Sequence, residues 1–191
     1  MNNQNTIPRI QPLSASDADD ETAKLLVRRE RRWGKSFNVS KVIANAPAVL
    51  KIMDSFWDTL NQTSLSLTDR ELIAMELAVL NGCHYCVPAH RYFVHEESKF
   101  DVHVIDQLER VSKGETLPAG GRLATMQKLV RRLEATRGGL KDEEFQFFQE
   151  QGITAQQMIE TIAEIAHCTV TNFTNRLAQT PLDEFSKQYK R

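Results

Sequence analysis

Leu67-Thr68-Asp69-Arg70-Glu71-Leu72-Ile73-Ala74, running on through Leu80-Asn81-Gly82-Cys83-His84-Tyr85-Cys86-Val87-Pro88-Ala89-His90, is the stretch on which the fold turns. Thr68 to Glu71 has the S/T-x-x-E form of a capping box, which predicts the start of a strongly apolar helix through Leu80. Asn81-Gly82 then predicts a left-handed C-cap. A proline is tolerated only in the first turn of a helix, so Pro88 requires a second helix to begin almost at once. Its start is expected between Gly82 and His84, and its end near Glu97. Two helices joined by so short a turn point to helix-on-helix packing.

The flanks extend this pattern. Toward the N-terminus, Ser16 is placed to cap a helix that opens with Asp17, Asp19, Asp20 and Glu21 and closes with Arg28, Arg29, Arg31 and Arg32 before Gly34. Acids first and bases last complement the helix dipole, so the arginine cluster reads as a solvated helix end rather than a phosphate or nucleic-acid site. Pro47 suits the first turn of a helix whose Val49, Leu50, Met53, Phe56, Trp57 and Leu60 keep helical spacing and form a core stripe. Toward the C-terminus, helices are expected at Val102 to Val111, Leu123 to Thr136, Asp142 to Glu150 and Ala155 to Leu177. No run of alternating strands is present. The predicted fold class is all-α, a single compact helical bundle, divided into an N-terminal arm and helix (1–38) and a helical domain (39–191). Thr154-Ala155-Gln156-Gln157 is a second capping box. If it echoes the Thr68 box, the chain holds a degenerate two-layer helical repeat. That alignment sets Asn172 opposite Cys86 and Arg176 opposite His90, so the second copy has no dithiol.

Composition narrows the function. With 191 residues, 41% apolar and 26% charged, the chain can bury a core without a disulfide scaffold. Twenty-four basic against 25 acidic residues leave a net charge of −1, which gives no field to draw nucleic acid or an anionic membrane. The longest apolar run, Leu72 to Leu80, is interrupted by Glu76 and is too short to cross a bilayer. Met1 to Leu13 is polar, without the apolar segment of an export signal. Three cysteines, an odd number, then argue for thiols kept in a reducing compartment, and a cytoplasmic location is expected.

Two of those cysteines form a CxxC. On a helix advancing about 100° per residue, Cys86 lies about 60° from Cys83, and His90 returns to within about 20° of it. The three side chains would share one face. Unpaired N–H groups in a first turn stabilise a thiolate, and an imidazole four residues beyond Cys86 is suited to take the thiol proton. A thiolate that attacks a peroxide becomes a sulfenic acid, which a neighbouring thiol converts to a disulfide. An external dithiol must then reopen that bond by exchange. Spacing leaves open which sulfur attacks first: Cys86 is nearer His90, and Cys83 nearer the helix end.

Glu71, eleven residues, Cys83-His84-Tyr85-Cys86, three residues and His90 together resemble the E-x11-C-x2-C-x3-H signature of the alkyl hydroperoxide reductase D (AhpD)-like branch of the carboxymuconolactone decarboxylase family. The likeness runs over about thirty residues. It implies an all-helical AhpD-like fold assembling as trimers or hexamers. It also implies hydroperoxide reduction without metal or flavin, using a peroxide substrate and an external dithiol or protein reductant. By position, Cys86 is implied as the peroxidatic nucleophile, Cys83 as the resolving thiol, His90 as the proton carrier and Glu71 as the terminal base acting through water and the histidine. The family's decarboxylases lack this dithiol, which argues against lactone decarboxylation here.

Each of these residues has a plainer reading. Glu71 could serve only as the N3 residue of the capping box. Glu76 is a rival acid that could simply pair at the surface. The CxxC could be half of a zinc site, although Cys83, Cys86 and His90 supply only three ligands. A thiol-disulfide relay acting on protein partners is a further alternative, as is a non-redox scaffold. Cys168 reads as an inert core thiol, and His95, His103 and His167 show no partner at ligand spacing. His84 and Tyr85 read as tuning access to the sulfurs. Trp33, Trp57, Phe145, Phe147 and Phe148 read as packing anchors.

Overall fold

A computed structural model describes residues 7–190, so the first six residues of the expected N-terminal arm, and of the polar stretch Met1 to Leu13, lie outside the described part. The described chain is built from nine α-helices: α1 (Asp20–Trp33), α2 (Asn38–Ile43), α3 (Pro47–Leu60), α4 (Leu67–Leu80), α5 (Cys86–Tyr92), α6 (Val102–Ser112), α7 (Arg122–Thr136), α8 (Asp142–Glu150) and α9 (Ala155–Ala178). A π-helical turn (Phe93–Glu97) extends α5, and a 3-10 turn (Glu184–Tyr189) follows α9. Among the described residues there is no strand, as the all-α reading expects. Nor is any helix among them long and apolar enough to cross a membrane.

Helix α4 is the axis of the molecule. Leu72, Ile73, Ala74, Met75, Leu77 and Ala78 are all buried, so the helix is apolar around most of its circumference, as a helix enclosed by others must be. It packs against α6, α7 and α9, where Leu108, Val111, Met126, Leu129, Val130, Phe148 and Ile153 complete the main core. Each such side chain contributes about 1.5–3 kcal/mol of burial. A second cluster, Leu26, Ile43, Ala44, Leu50 and Met53, ties α1, α2 and α3 together.

The caps differ from expectation at two helices. Helix α4 opens two residues early: Ser66 is the N-cap and Asp69 its reciprocal partner, with Ser66 Oγ accepting from the Asp69 N–H at 3.1 Å and Asp69 Oδ2 accepting from the Ser66 N–H at 3.0 Å. A Ser–Asp box satisfies the same orphan donors as a Thr–Glu box, and it leaves Glu71 without a capping role. Helix α1 is capped by Asp19 rather than Ser16. The box at Thr154 and Gln157 forms as read. With Ser66 as the true counterpart of Thr154, the proposed repeat shifts by two residues and no longer sets Asn172 against Cys86. The arginine cluster is only partly solvated. Arg28 and Arg32 pair with the buried Asp54 of α3, and Arg29 is 11% exposed with its Nε donating to Ser40 Oγ at 3.0 Å.

Candidate active site

The C-terminus of α4 fixes the first sulfur. Gly82, at φ +60°, lets its N–H reach the Val79 carbonyl at 3.0 Å, while the Cys83 N–H reaches the Ala78 carbonyl at 2.8 Å. This pair of bonds is a Schellman cap, and it anchors Cys83 to the end of α4. Helix α5 then begins at Cys86, later than the expected start between Gly82 and His84. Cys83 therefore precedes the helix instead of lying on its face. Pro88 falls in the first turn of α5, as it must.

Cys83 and Cys86 are joined as a disulfide, with Cα atoms 5.4 Å apart, inside the range such a bond spans. Both residues are nearly sealed, at 1% and 4% exposure. Each sulfur has its own donors. The Cys86 N–H, freed at the helix start, points to Cys83 Sγ at 3.2 Å. Asn172 and Asn175 of α9 each direct a side-chain N–H to Cys86 Sγ at 3.3 Å. These two asparagines were not legible as site residues, since their relation to the sulfur depends on how α9 crosses α4 and α5. Asn175 Oδ1 is buried without a hydrogen-bond partner.

His90 Nδ1 contacts Glu71 Oε2 at 2.9 Å. The link is direct, without the water that the family resemblance interposes. Their side chains are 28% and 12% exposed. Desolvation favours the neutral imidazole, but the charge and hydrogen bond of Glu71, with the charge of Glu164, outweigh it and raise the His90 pKa above its ordinary value. With Nδ1 committed to the carboxylate, Nε2 is the nitrogen left to exchange a proton.

Glu71, Cys86 and His90 line one cavity of about 410 Å³, a volume typical of small-molecule sites. Trp33, Phe37, Trp57, Tyr92 and Phe93 supply aromatic wall, and α9 closes the far side with Glu164, His167, Cys168, Thr171 and Asn175. Trp33 and Trp57 pack with centroids 4.3 Å apart, and Arg70 lies over Trp57 at 4.9 Å. Of the packing anchors read from sequence, Trp33 and Trp57 therefore form part of the cavity wall. Arg70 Nε also donates to Glu164 Oε2 at 2.8 Å in a buried ion pair.

The remaining candidates separate cleanly. Glu76 is fully buried, not at the surface, and is held by Arg131 and by Gln127 Nε2 at 2.7 Å, away from the cavity. His84 Nε2 bonds the Thr180 carbonyl at 3.0 Å. Tyr85 bonds Asp183 through its hydroxyl and accepts from the Val39 N–H at 3.3 Å. Burial, then the Asp183 charge and bond, push its phenol well above the ordinary range. Both residues thus fix the CxxC turn. Cys168 is buried at the cavity edge, and burial, followed by the charges of Glu164 and Glu71, drives its thiol well above the usual range, in keeping with an inert role. Two of the other histidines find hydrogen-bond partners, His95 Nε2 with Glu109 at 2.8 Å and His103 with Gln107 at 2.6 Å, whereas His167 Nδ1 lies 3.6 Å from Glu164 and is buried without a hydrogen bond. Glu164, His167 and Cys168 place their ligand atoms within 4.8 Å of one another, although Glu164 is already engaged by Arg70. Of the phenylalanines, Phe148 is core and Phe145 is 38% exposed.

This helical body, in which Cys86 lines a small cavity together with the Glu71–His90 carboxylate–imidazole pair, has the AhpD-like fold. Its residues 47–97 match the model of the carboxymuconolactone decarboxylase family, and that segment holds Glu71, both cysteines and His90. The structure is similar to an AhpD-core, peroxidase-related protein from Ralstonia eutropha JMP134, with a TM-score of 0.77 and 17% identity over 94% of each chain. It is also similar to a peroxidase-related protein from Silicibacter sp. TM1040, with a TM-score of 0.77 and 18% identity over 96% of each chain. The debrominase Bmp8, solved in complex with 2,3,4-tribromopyrrole, shares the fold with a TM-score of 0.71 and 15% identity over 94% of each chain. Among curated proteins, none matches the chain.

Proposed function

We propose that this chain is a thiol-dependent hydroperoxide reductase that cycles between a Cys83/Cys86 dithiol and the disulfide. One observation carries the reading: the Cys86 sulfur, held by two amide N–H groups, faces the same cavity as the Glu71–His90 pair. In the reduced protein His90, kept basic by Glu71, takes the Cys86 proton, and Asn172 and Asn175 stabilise the thiolate. The thiolate attacks the terminal oxygen of ROOH, the O–O bond breaks, and ROH leaves with a proton returned by the imidazolium. Cys83 then condenses with the sulfenic acid, releasing water and forming the bond seen here.

Burial of both sulfurs supports a small-molecule substrate over a relay between proteins. The peroxidase-related names of two structural neighbours agree with this reading, and a third neighbour that shares the fold is named a debrominase. Stopped-flow reaction of the reduced protein with cumene hydroperoxide tests it. The wild type should react far faster than free cysteine, and Cys86→Ser should abolish the reaction. A wild-type rate no greater than that of free cysteine would refute the proposal.

A further inference from the structure

The two cysteines of the disulfide line different cavities. Cys86 lines the large one, and Cys83 does not. Cys83 instead lines a separate cavity of about 280 Å³ with Val79, Gly82, Val87 and Lys190, and Cys86 has no part in it. We propose that this second cavity admits the thiol that reduces the disulfide, and that the thiol attacks Cys83. The inference rests on the redox cycle proposed above and adds the place and direction of its reductive half.

Two further observations agree on that direction. Exchange is faster when the departing sulfur is the better-stabilised thiolate. Attack on Cys83 expels Cys86, which has two asparagine N–H donors and shares a cavity with His90; attack on Cys86 would expel Cys83, whose donor is the Cys86 N–H. The second observation is charge. Lys190 is exposed and, among the described residues, is the one lysine or arginine lining this cavity, so it draws thiolates and thiols bearing an anionic group. At 1% exposure Cys83 is out of reach of a flat protein surface. The geometry fits a low-molecular-weight thiol.

The chemistry balances in two exchanges. An incoming thiolate bonds to Cys83 Sγ, the Cys83–Cys86 bond breaks, and its electron pair leaves on Cys86. A second thiolate attacks the sulfur of the bound thiol and releases RSSR. Cys83 departs as a thiolate and takes up a proton, so two RSH are oxidised for each disulfide reduced.

The test uses the full-length disulfide protein and 2-mercaptoethanesulfonate, with no peroxide present. A millisecond quench with N-ethylmaleimide followed by peptide mass spectrometry should place the mercaptan on Cys83 and the maleimide on Cys86. Val79→Trp, which fills the second cavity, should slow reduction about tenfold while the peroxide reaction changes less than about twofold. Lys190→Glu should slow the sulfonate thiol several-fold more than neutral 2-mercaptoethanol. Should Val79→Trp fold poorly, the wild-type quench and the charge comparison still decide. An adduct on Cys86, or reduction indifferent to ligand charge at Lys190, overturns the proposal. A protein inert to peroxides that still takes the adduct on Cys83 would refute the peroxidase reading alone.

Discussion

Removing the asparagine donors from Cys86 should raise its thiol pKa in steps of about one unit. Each N–H sits 3.3 Å from the sulfur, and a hydrogen bond to a charged acceptor contributes about 1.5–3 kcal/mol. Sulfur is a diffuse acceptor, so the lower end applies, and at 1.36 kcal/mol per unit the loss of one donor shifts the pKa by about one. The assay is thiolate absorbance against pH in the Cys83→Ser background, comparing Asn172→Ala, Asn175→Ala and the double variant. Cys168 does not interfere, because burial drives its thiol well above the ordinary range. Asn175→Leu keeps the volume but not the donor, which separates charge stabilisation from packing. A titration that moves by less than about 0.3 units in the double variant, with helicity intact, would refute the donor role.

Glu71→Gln should lower the His90 pKa, since the carboxylate is what holds it up against desolvation. The rising limb of peroxide reactivity should then move to lower pH with a reduced plateau. The linkage has a definite sign: a raised folded-state pKa stabilises the fold fully below the imidazole's ordinary value, and that contribution fades as pH rises through the folded value. In the variant this slope flattens, which urea titrations at several pH values will measure; an unchanged slope refutes the pairing. Glu164→Gln leaves the buried Arg70 uncompensated and should cost about 3–5 kcal/mol by calorimetry. A cost under about 1 kcal/mol would show that the pair matters little. Gly82→Ala meets no atom within 4 Å but forces a β-carbon onto φ +60°, and should cost about 1–2 kcal/mol from the backbone alone.

The helical architecture was legible because it rests on local signals. Pro47, the Thr154 box and Gly34 sit where their conformational preferences put them, and the helix from Asp142 to Glu150 came out with the bounds read from its pattern. Helix α2 was missed because its six residues are too few to show a period. The Thr68 box was misplaced because Ser66 and Asp69 compete for the same role two residues earlier, and sequence does not rank two valid caps. The site divides along the same line. Glu71, Cys83, Cys86 and His90 lie in one stretch whose spacing carries meaning. Asn172 and Asn175 come from a helix some ninety residues away, where two asparagines in an apolar run give no sign of what they will face. Glu76 was misjudged for the same reason: its partners Gln127 and Arg131 are distant in sequence, and only they make its burial tolerable.

The matched family segment ends at residue 97, yet one wall of the cavity is built entirely from α9. The proposed reacting groups and their surroundings are therefore written in separate parts of the chain and can drift independently. A relative can keep the four-residue signature intact and, by exchanging a few side chains on that one late helix, turn the same sulfur toward a different molecule.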